Sequence, residues 1–217
     1  AVMAIWNAPS PCPNHARRAL DAAFELEREV ALLLPPTPPA GLEQARQDNA
    51  EAMFSGHDIP AEKAAAMLRS ALELSNSAVY EQSQLSDDFT GMGTTLVAAW
   101  ISRDLAVVIN VGDSRAYHIT GEGILQISRD HSVVENMVEK GDITRQEARR
   151  HPSRNLITRA LGPDAQVEAD SFRVPWQQGD FLLLCSDGLV NTVTDQEMLF
   201  EVMHEQDLDG CLDRLLA

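Results

Sequence analysis

Cations are scarce in this chain. Seventeen lysines and arginines face 33 aspartates and glutamates over 217 residues, leaving a formal net charge of −16. Nucleic-acid phosphates require basic neutralisation, so no nucleic-acid partner is expected. Most of the acidic residues read as a solvated surface that serves solubility. Long apolar runs are missing too. None approaches the roughly 20 residues that cross a bilayer, and the early run from Val30 to Leu34 follows a charged segment, so neither a membrane partner nor a signal peptide is expected. Cysteine is sparse: Cys12, Cys185 and Cys211 lack metal or redox spacing, and an odd count speaks against a disulfide framework. Both points favour a reducing, cytoplasmic setting. Internal repeats are absent, and Ala1 rather than Met at the start suits an excised or processed chain. The 44% of hydrophobic residues suffices for one sizeable core.

Two regions differ in character, residues 1–40 and 41–217. Residues 14–34 have the spacing of an amphipathic helix with Asn14 placed to cap it, and Pro35-Pro36-Thr37-Pro38-Pro39 ends it as a stiff connector. A second helix is expected to start near Pro60, with Asp58 upstream, and to carry Ala66, Leu68, Ala71, Leu72 and Val79 on its apolar side. Beyond residue 91 strands dominate, at about 94–101, 104–111, 115–119, 123–127, 167–174 and 180–185. Helices follow near 131–140, 144–150, 194–204 and 207–216. Short turns between successive strands predict antiparallel sheets in an α+β domain.

Three motifs carry chemistry. Phe181-Leu182-Leu183-Leu184-Cys185 reads as a strand buried on both faces, and it ends on Ser186-Asp187-Gly188. A carboxylate at the tip of a buried strand is costly unless a cation joins it, whereas Ser-Asp-Gly also suits an ordinary turn; taken alone, the two readings stand level. Upstream, Val107-Val108-Ile109-Asn110-Val111 runs into Gly112-Asp113-Ser114-Arg115 in the same way, and Gly91-Met92-Gly93-Thr94-Thr95 opens a third apolar run. Between them lie Asp130-His131-Ser132, Gly141-Asp142-Ile143-Thr144, His151-Pro152 and Arg154-Asn155-Leu156-Ile157-Thr158-Arg159. Cys185 sits inside its apolar strand as a core residue.

In this order the motifs closely resemble the PPM family, the metal-dependent type 2C protein serine/threonine phosphatases, in its bacterial branch. The resemblance covers roughly residues 68–203. It implies a four-layer αββα sandwich of two antiparallel sheets flanked by helices, here incomplete, with a flap over about 130–162 that shapes substrate access. It implies hydrolysis of phosphoserine and phosphothreonine in protein substrates by a water activated at Mn²⁺ or Mg²⁺, with no protein nucleophile. Such ions would also offset the repulsion between an acidic chain and a phosphorylated substrate. Asp187 matches the metal-bridging aspartate of Ser-Asp-Gly, the catalytic position. Asp113 matches the Gly-Asp-Ser-Arg aspartate, which helps hold a further metal ion. Arg115 reads as a structural ion-pair partner, and His131 and His151 as flap and packing residues.

The departures are equally specific. The family's Asp-Gly-Met-Gly-Gly-His segment, with its central metal-bridging aspartate, has no counterpart; its nearest echo is Ala50-Glu51-Ala52-Met53-Phe54-Ser55-Gly56-His57, which makes Glu51 the candidate metal ligand there. The Gly-x-Asp-Asn segment does not follow before Ala217. Three readings remain open: a phosphatase acting on substrates of a serine/threonine kinase, a non-catalytic relative that binds partners, and a fragment that another segment completes.

Overall fold

In the computed structural model, residues 4–7, 60–85, 87–102, 104–204, 211, 214 and 215 are described. The chain divides into two units, residues 1–8 with 60–217 and residues 9–59, and every described residue belongs to the first. The helix expected over 14–34 and the candidate ligand Glu51 lie outside the described residues.

The elements in order are β1 (Ala4–Asn7), α1 (Ala61–Ser83), β2 (Leu96–Ile101), β3 (Leu105–Val111), β4 (Arg115–Thr120), β5 (Gly123–Gln126), α2 (Val133–Lys140), α3 (Arg145–Ala148), β6 (Asp170–Pro175), β7 (Phe181–Cys185), α4 (Asp187–Val190) and α5 (Asp195–His204). The strands form two sheets, β1-β7-β4-β5 and β2-β3-β6, and every pairing is antiparallel.

Strand periodicity sorts the apolar side chains into three layers of core. Ala106 and Val108 of β3, with Ala116 of β4 and Leu182 of β7, meet around Trp176 and fill the space between the sheets. On the other face of β3, Ile109 and Val111 pack with Leu72 of α1 and with Leu161. On the outer face of the larger sheet, Tyr117 and Ile119 of β4 and Leu183 and Cys185 of β7 pack with Met198 and Val202 of α5. Helix, sheet, sheet and helix therefore stack in that order, the αββα sandwich expected. Each large apolar side chain buried this way contributes about 1.5–3 kcal/mol. The near-continuous apolar runs at 105–111 and 181–185 follow from this, because both strands are covered on both faces.

Three local features depart from the expected elements. β1 was not anticipated; its four residues pair with β7 in the register Ala4↔Leu184 to Asn7↔Phe181, too short a run to signal itself by alternation. The strand expected from 167 begins at Asp170. Ser186-Asp187-Gly188 is neither turn nor loop: Asp187 is the first residue of the one-turn helix α4. Of the helix expected over 207–216, residues 211, 214 and 215 are described, and all three are helical.

The loop after Leu161 is fastened to α1 through Asn76, which is 2% exposed. Gly162 N–H donates to Asn76 Oδ1 at 2.9 Å, while Asn76 Nδ2 donates to the carbonyls of Asp164 and Ala165 at 3.1 and 3.2 Å. This close approach requires glycine. Gly162 has φ +99°, and a Cβ there would lie 2.3 Å from Val79 Cγ1 and 2.8 Å from the Met92 carbonyl oxygen.

Two outcomes follow. Gly162→Ala combines left-handed backbone strain with overpacking and should destabilise the domain by about 2–4 kcal/mol in urea unfolding; a loss under about 0.5 kcal/mol would refute the close approach. Burial pushes the Cys185 thiol up to about 12, so at pH 8 the thiolate is negligible. Iodoacetamide followed by peptide mass mapping should leave Cys185 unmodified in native protein and alkylate it in denaturant. Rapid native labelling would contradict its place in the core.

Candidate active site

The site is a consequence of strand register. β4 and β7 are antiparallel neighbours with Arg115 opposite Cys185. Asp113 lies two residues before Arg115 and Asp187 two residues after Cys185, so both carboxylates emerge at the same end of the larger sheet. Both line a cleft of about 690 Å³. Asp113 is half-buried and Asp187 exposed.

Each aspartate is held by its own local device. Gly112, at φ +101°, lies so close to Thr95 that a Cβ would meet Thr95 Cγ2 at 2.3 Å. Thr95 Oγ1 and Ser114 Oγ share a hydrogen bond of 2.8 Å, so the residues on either side of Asp113 are both tied to the Thr95 segment. Asp187 takes its direction from α4, whose Asn191 N–H donates to the Asp187 carbonyl at 2.9 Å. The Asn191 amide also approaches Asp187 Oδ2 at 3.5 Å.

The electrostatics of the two carboxylates are unbalanced. Burial raises the pKa of Asp113 above its ordinary value, and the charge of Asp187 raises it further. The nearest guanidinium does little to offset this, because it is engaged elsewhere. Arg115 donates from Nε and Nη2 to the Asp130 carboxylate, the shortest contact being 2.6 Å, and from Nη1 to Tyr117 Oη at 3.1 Å. Gln126 Nε2 adds a further hydrogen bond to Asp130 Oδ1 at 2.9 Å. The sequence assignment of Arg115 as an ion-pair partner agrees with this geometry. Among the described residues, no salt bridge reaches Asp113 or Asp187.

Over the cleft lies the segment between β5 and β6. Ser132 caps α2 by accepting from Glu135 N–H at 3.1 Å, and Thr144 and Glu147 form a reciprocal capping box on α3. Arg145 clamps α3 to α2 through both oxygens of Glu135, at 3.0 and 3.2 Å. Arg129 pairs with Glu139. Arg149 reaches Asp195 at the start of α5 at 4.0 Å, on the far side of the cleft. The arginines lining the cleft thus serve largely in ion pairs.

Of the sequence-derived site residues, Asp113 and Asp187 come together, and Glu51 is outside the described residues. His151 is local packing, its Nδ1 accepting from Ser153 N–H at 3.1 Å. His131 is more than packing: its Nδ1 accepts from Gly112 N–H at 3.1 Å, next to Asp113. Nothing in the sequence pairs residue 131 with residue 112. Among the described residues, no group of three or more His, Cys, Asp or Glu side chains is placed to hold a metal ion. Asp113 and Asp187, hard oxygen donors that no salt bridge reaches among the described residues, suit a divalent cation.

Comparison with known proteins agrees with this architecture. The family model for protein phosphatase 2C matches residues 42–212. The serine/threonine phosphatase stp of Listeria monocytogenes is 41% identical over 140 residues, 64% of this chain and 56% of that protein. The serine/threonine protein phosphatase PstP of Mycobacterium tuberculosis is 38% identical over 142 residues, 65% of this chain and 27% of that protein. The chain therefore spans about half the length of the Listeria relative, and less of the mycobacterial one. Among solved structures, the serine/threonine phosphatase Stp1 of Staphylococcus aureus superposes with a TM-score of 0.70 at 38% identity, covering 78% of this chain and 67% of that chain. The catalytic domain of PstP in complex with two manganese ions does so with a TM-score of 0.65 at 31% identity, covering 83% and 76%. With the sandwich, the paired strand ends and the overlying segment in place, the chain belongs to the protein phosphatase 2C family of metal-dependent protein phosphatases.

Proposed function

We propose that this chain hydrolyses phosphoserine and phosphothreonine in proteins phosphorylated by a serine/threonine kinase of the cytoplasm, using Mn²⁺ or Mg²⁺ held at Asp187 and Asp113. The observation that carries this reading is the convergence of two carboxylates, with no neutralising salt bridge among the described residues, in a cleft rimmed by arginines. Asp113, whose proton affinity is raised by burial and by the charge of Asp187, favours a hard divalent cation beside it. When bound, such an ion supplies Lewis acidity, stabilising charge on the phosphoryl oxygens and lowering the pKa of water.

The chain's own residues do the rest. Asp187 would anchor the ion at the tip of β7, and Asp113 would face it from the tip of β4. Arg115 pairs with Asp130, so that its guanidinium only weakly offsets the negative charge that Asp187 and Asp130 place beside Asp113. The segment between β5 and β6 gives the cleft a wall against which a phosphorylated peptide can be oriented.

A second reading has its own observation. No group of three or more candidate ligand side chains comes together among the described residues, and a site with few carboxylates binds Mn²⁺ weakly. A weak or inactive relative that binds phosphorylated partners through the same cleft is the alternative.

Hydrolysis of para-nitrophenyl phosphate across a Mn²⁺ titration separates the two. The phosphatase reading expects saturable turnover that chelator abolishes. Asp187→Ala should lower it by at least about 100-fold while circular dichroism stays unchanged, because deleting a ligand costs more than the 10–100-fold typical of an outer-shell partner. Absence of turnover in folded wild type at every Mn²⁺ concentration would leave the partner-binding alternative, and full turnover in Asp187→Ala would remove Asp187 from the site.

A further inference from the structure

His131 is 3% exposed and bonds to Gly112 twice. Its backbone N–H donates to the Gly112 carbonyl at 2.9 Å, and the Gly112 N–H donates to its ring Nδ1 at 3.1 Å. These reciprocal bonds close a ring on the residue that immediately precedes Asp113. The other ring nitrogen, Nε2, lies 3.1 Å from Asp170 Oδ2. Asp170 Oδ1 in turn accepts from Arg159 Nη1 at 3.0 Å.

Hydrogen-bond chemistry fixes the tautomer. Nδ1 accepts from an amide, so it carries no proton; a neutral imidazole then carries its proton on Nε2 and donates it to Asp170. The 3.4 Å approach of Arg159 Nη1 to Nε2 cannot be a hydrogen bond in that tautomer, since both atoms are donors. Arg159 instead shares the carboxylate. Burial works against the charge of Asp170, but His131 and Arg159 outweigh it and hold its pKa below the ordinary value, so it remains an acceptor.

The remaining contacts of the segment lead to the same place. Asn110 Nδ2 donates to the Gly112 carbonyl at 3.3 Å and to the Arg129 carbonyl at 2.9 Å, and Thr158 N–H donates to the His131 carbonyl at 2.7 Å. The His131 ring is thus anchored behind and committed to one amide in front.

We infer that His131 is a positioning residue: in its Nε2–H tautomer, oriented by Asp170, it locks the Gly112 amide and thereby fixes the direction in which Asp113 leaves the end of β3. This deepens the function proposed above and rests on it insofar as Asp113 holds the cation. An acceptor for the Gly112 N–H must be present for Asp113 to be preorganised. Without it, the amide is left buried and unpaired, and the turn rearranges to find another partner.

Two substitutions divide the ring's roles. In His131→Asn the amide oxygen can take the place of Nδ1, so the acceptor survives while the donor to Asp170 is lost. In His131→Gln the amide nitrogen reaches the Nε2 position, so the donor survives and the acceptor is lost. Mn²⁺ affinity by isothermal titration calorimetry should stay within about threefold of wild type for His131→Asn and fall by about 10-fold or more for His131→Gln. Equal affinities in wild type and both variants, or the reverse order, would overturn the inference.

A second readout needs neither metal nor activity. In wild type, long-range ¹H–¹⁵N correlation spectra should show a protonated Nε2 and an unprotonated Nδ1, and the Gly112 amide should exchange slowly. A protonated Nδ1, or a rapidly exchanging Gly112 amide, would sink the inference even if both variants failed to fold. Should wild type bind no Mn²⁺, the metal site falls; the inference then stands or falls on whether Gly112 exchange accelerates in His131→Gln and not in His131→Asn.

Discussion

Everything at this site depends on one pairing, that of β4 with β7. With Arg115 opposite Cys185, the start of β4 and the end of β7 deliver Asp113 and Asp187 to one end of the larger sheet. A slip of one residue would turn Tyr117, Ile119, Leu183 and Cys185 from the helix-facing core toward the other sheet, so the register is enforced by apolar burial. The site therefore inherits its precision from the core. Burial favours this register strongly enough to hold two like charges near one another.

That arrangement explains the ordering of the polar groups around it. Arg115 stands beside Asp113 in sequence and would be the natural neutraliser of the pair. Instead its guanidinium is committed to Asp130 and Tyr117, with Gln126 completing the carboxylate's bonds. A buried ion pair of this kind contributes little net stability, because desolvation cancels much of its attraction. Its consequence is local: with the guanidinium held on Asp130, Arg115 offsets little of the negative charge beside Asp113.

Much of this was legible in the sequence, for stated reasons. Apolar runs ending on Gly112-Asp113 and on Ser186-Asp187-Gly188 announce strands covered on both faces whose tips carry carboxylates, and the order of motifs announces the family. The four-layer stacking follows from strand periodicity once two sheets are granted. What the sequence concealed is of three kinds. β1 is too short to show alternation, and its pairing with β7 joins segments about 180 residues apart. The helix at Asp187 is a single turn, and Ser-Asp-Gly is as compatible with a bend as with a helix start. The His131–Gly112 bond joins residues 19 apart through one ring nitrogen, a choice made by tertiary approach that no local pattern encodes.

The contrast between Asp113 and Asp170 gives the last step. Both are aspartates at strand ends in the same region, and burial opposes ionisation in each. Asp170 has His131 and Arg159 as partners, which outweigh its burial, and its pKa falls. Asp113 has Asp187 as its main neighbour, and its pKa rises. Stability alone would favour giving both the first environment, since a carboxylate whose pKa rises on folding weakens the folded state at neutral pH. A fold that satisfies one carboxylate fully and leaves its neighbour facing another negative charge is arranged for something that arrives from solution. Under the function proposed above, a divalent cation is what relieves that repulsion.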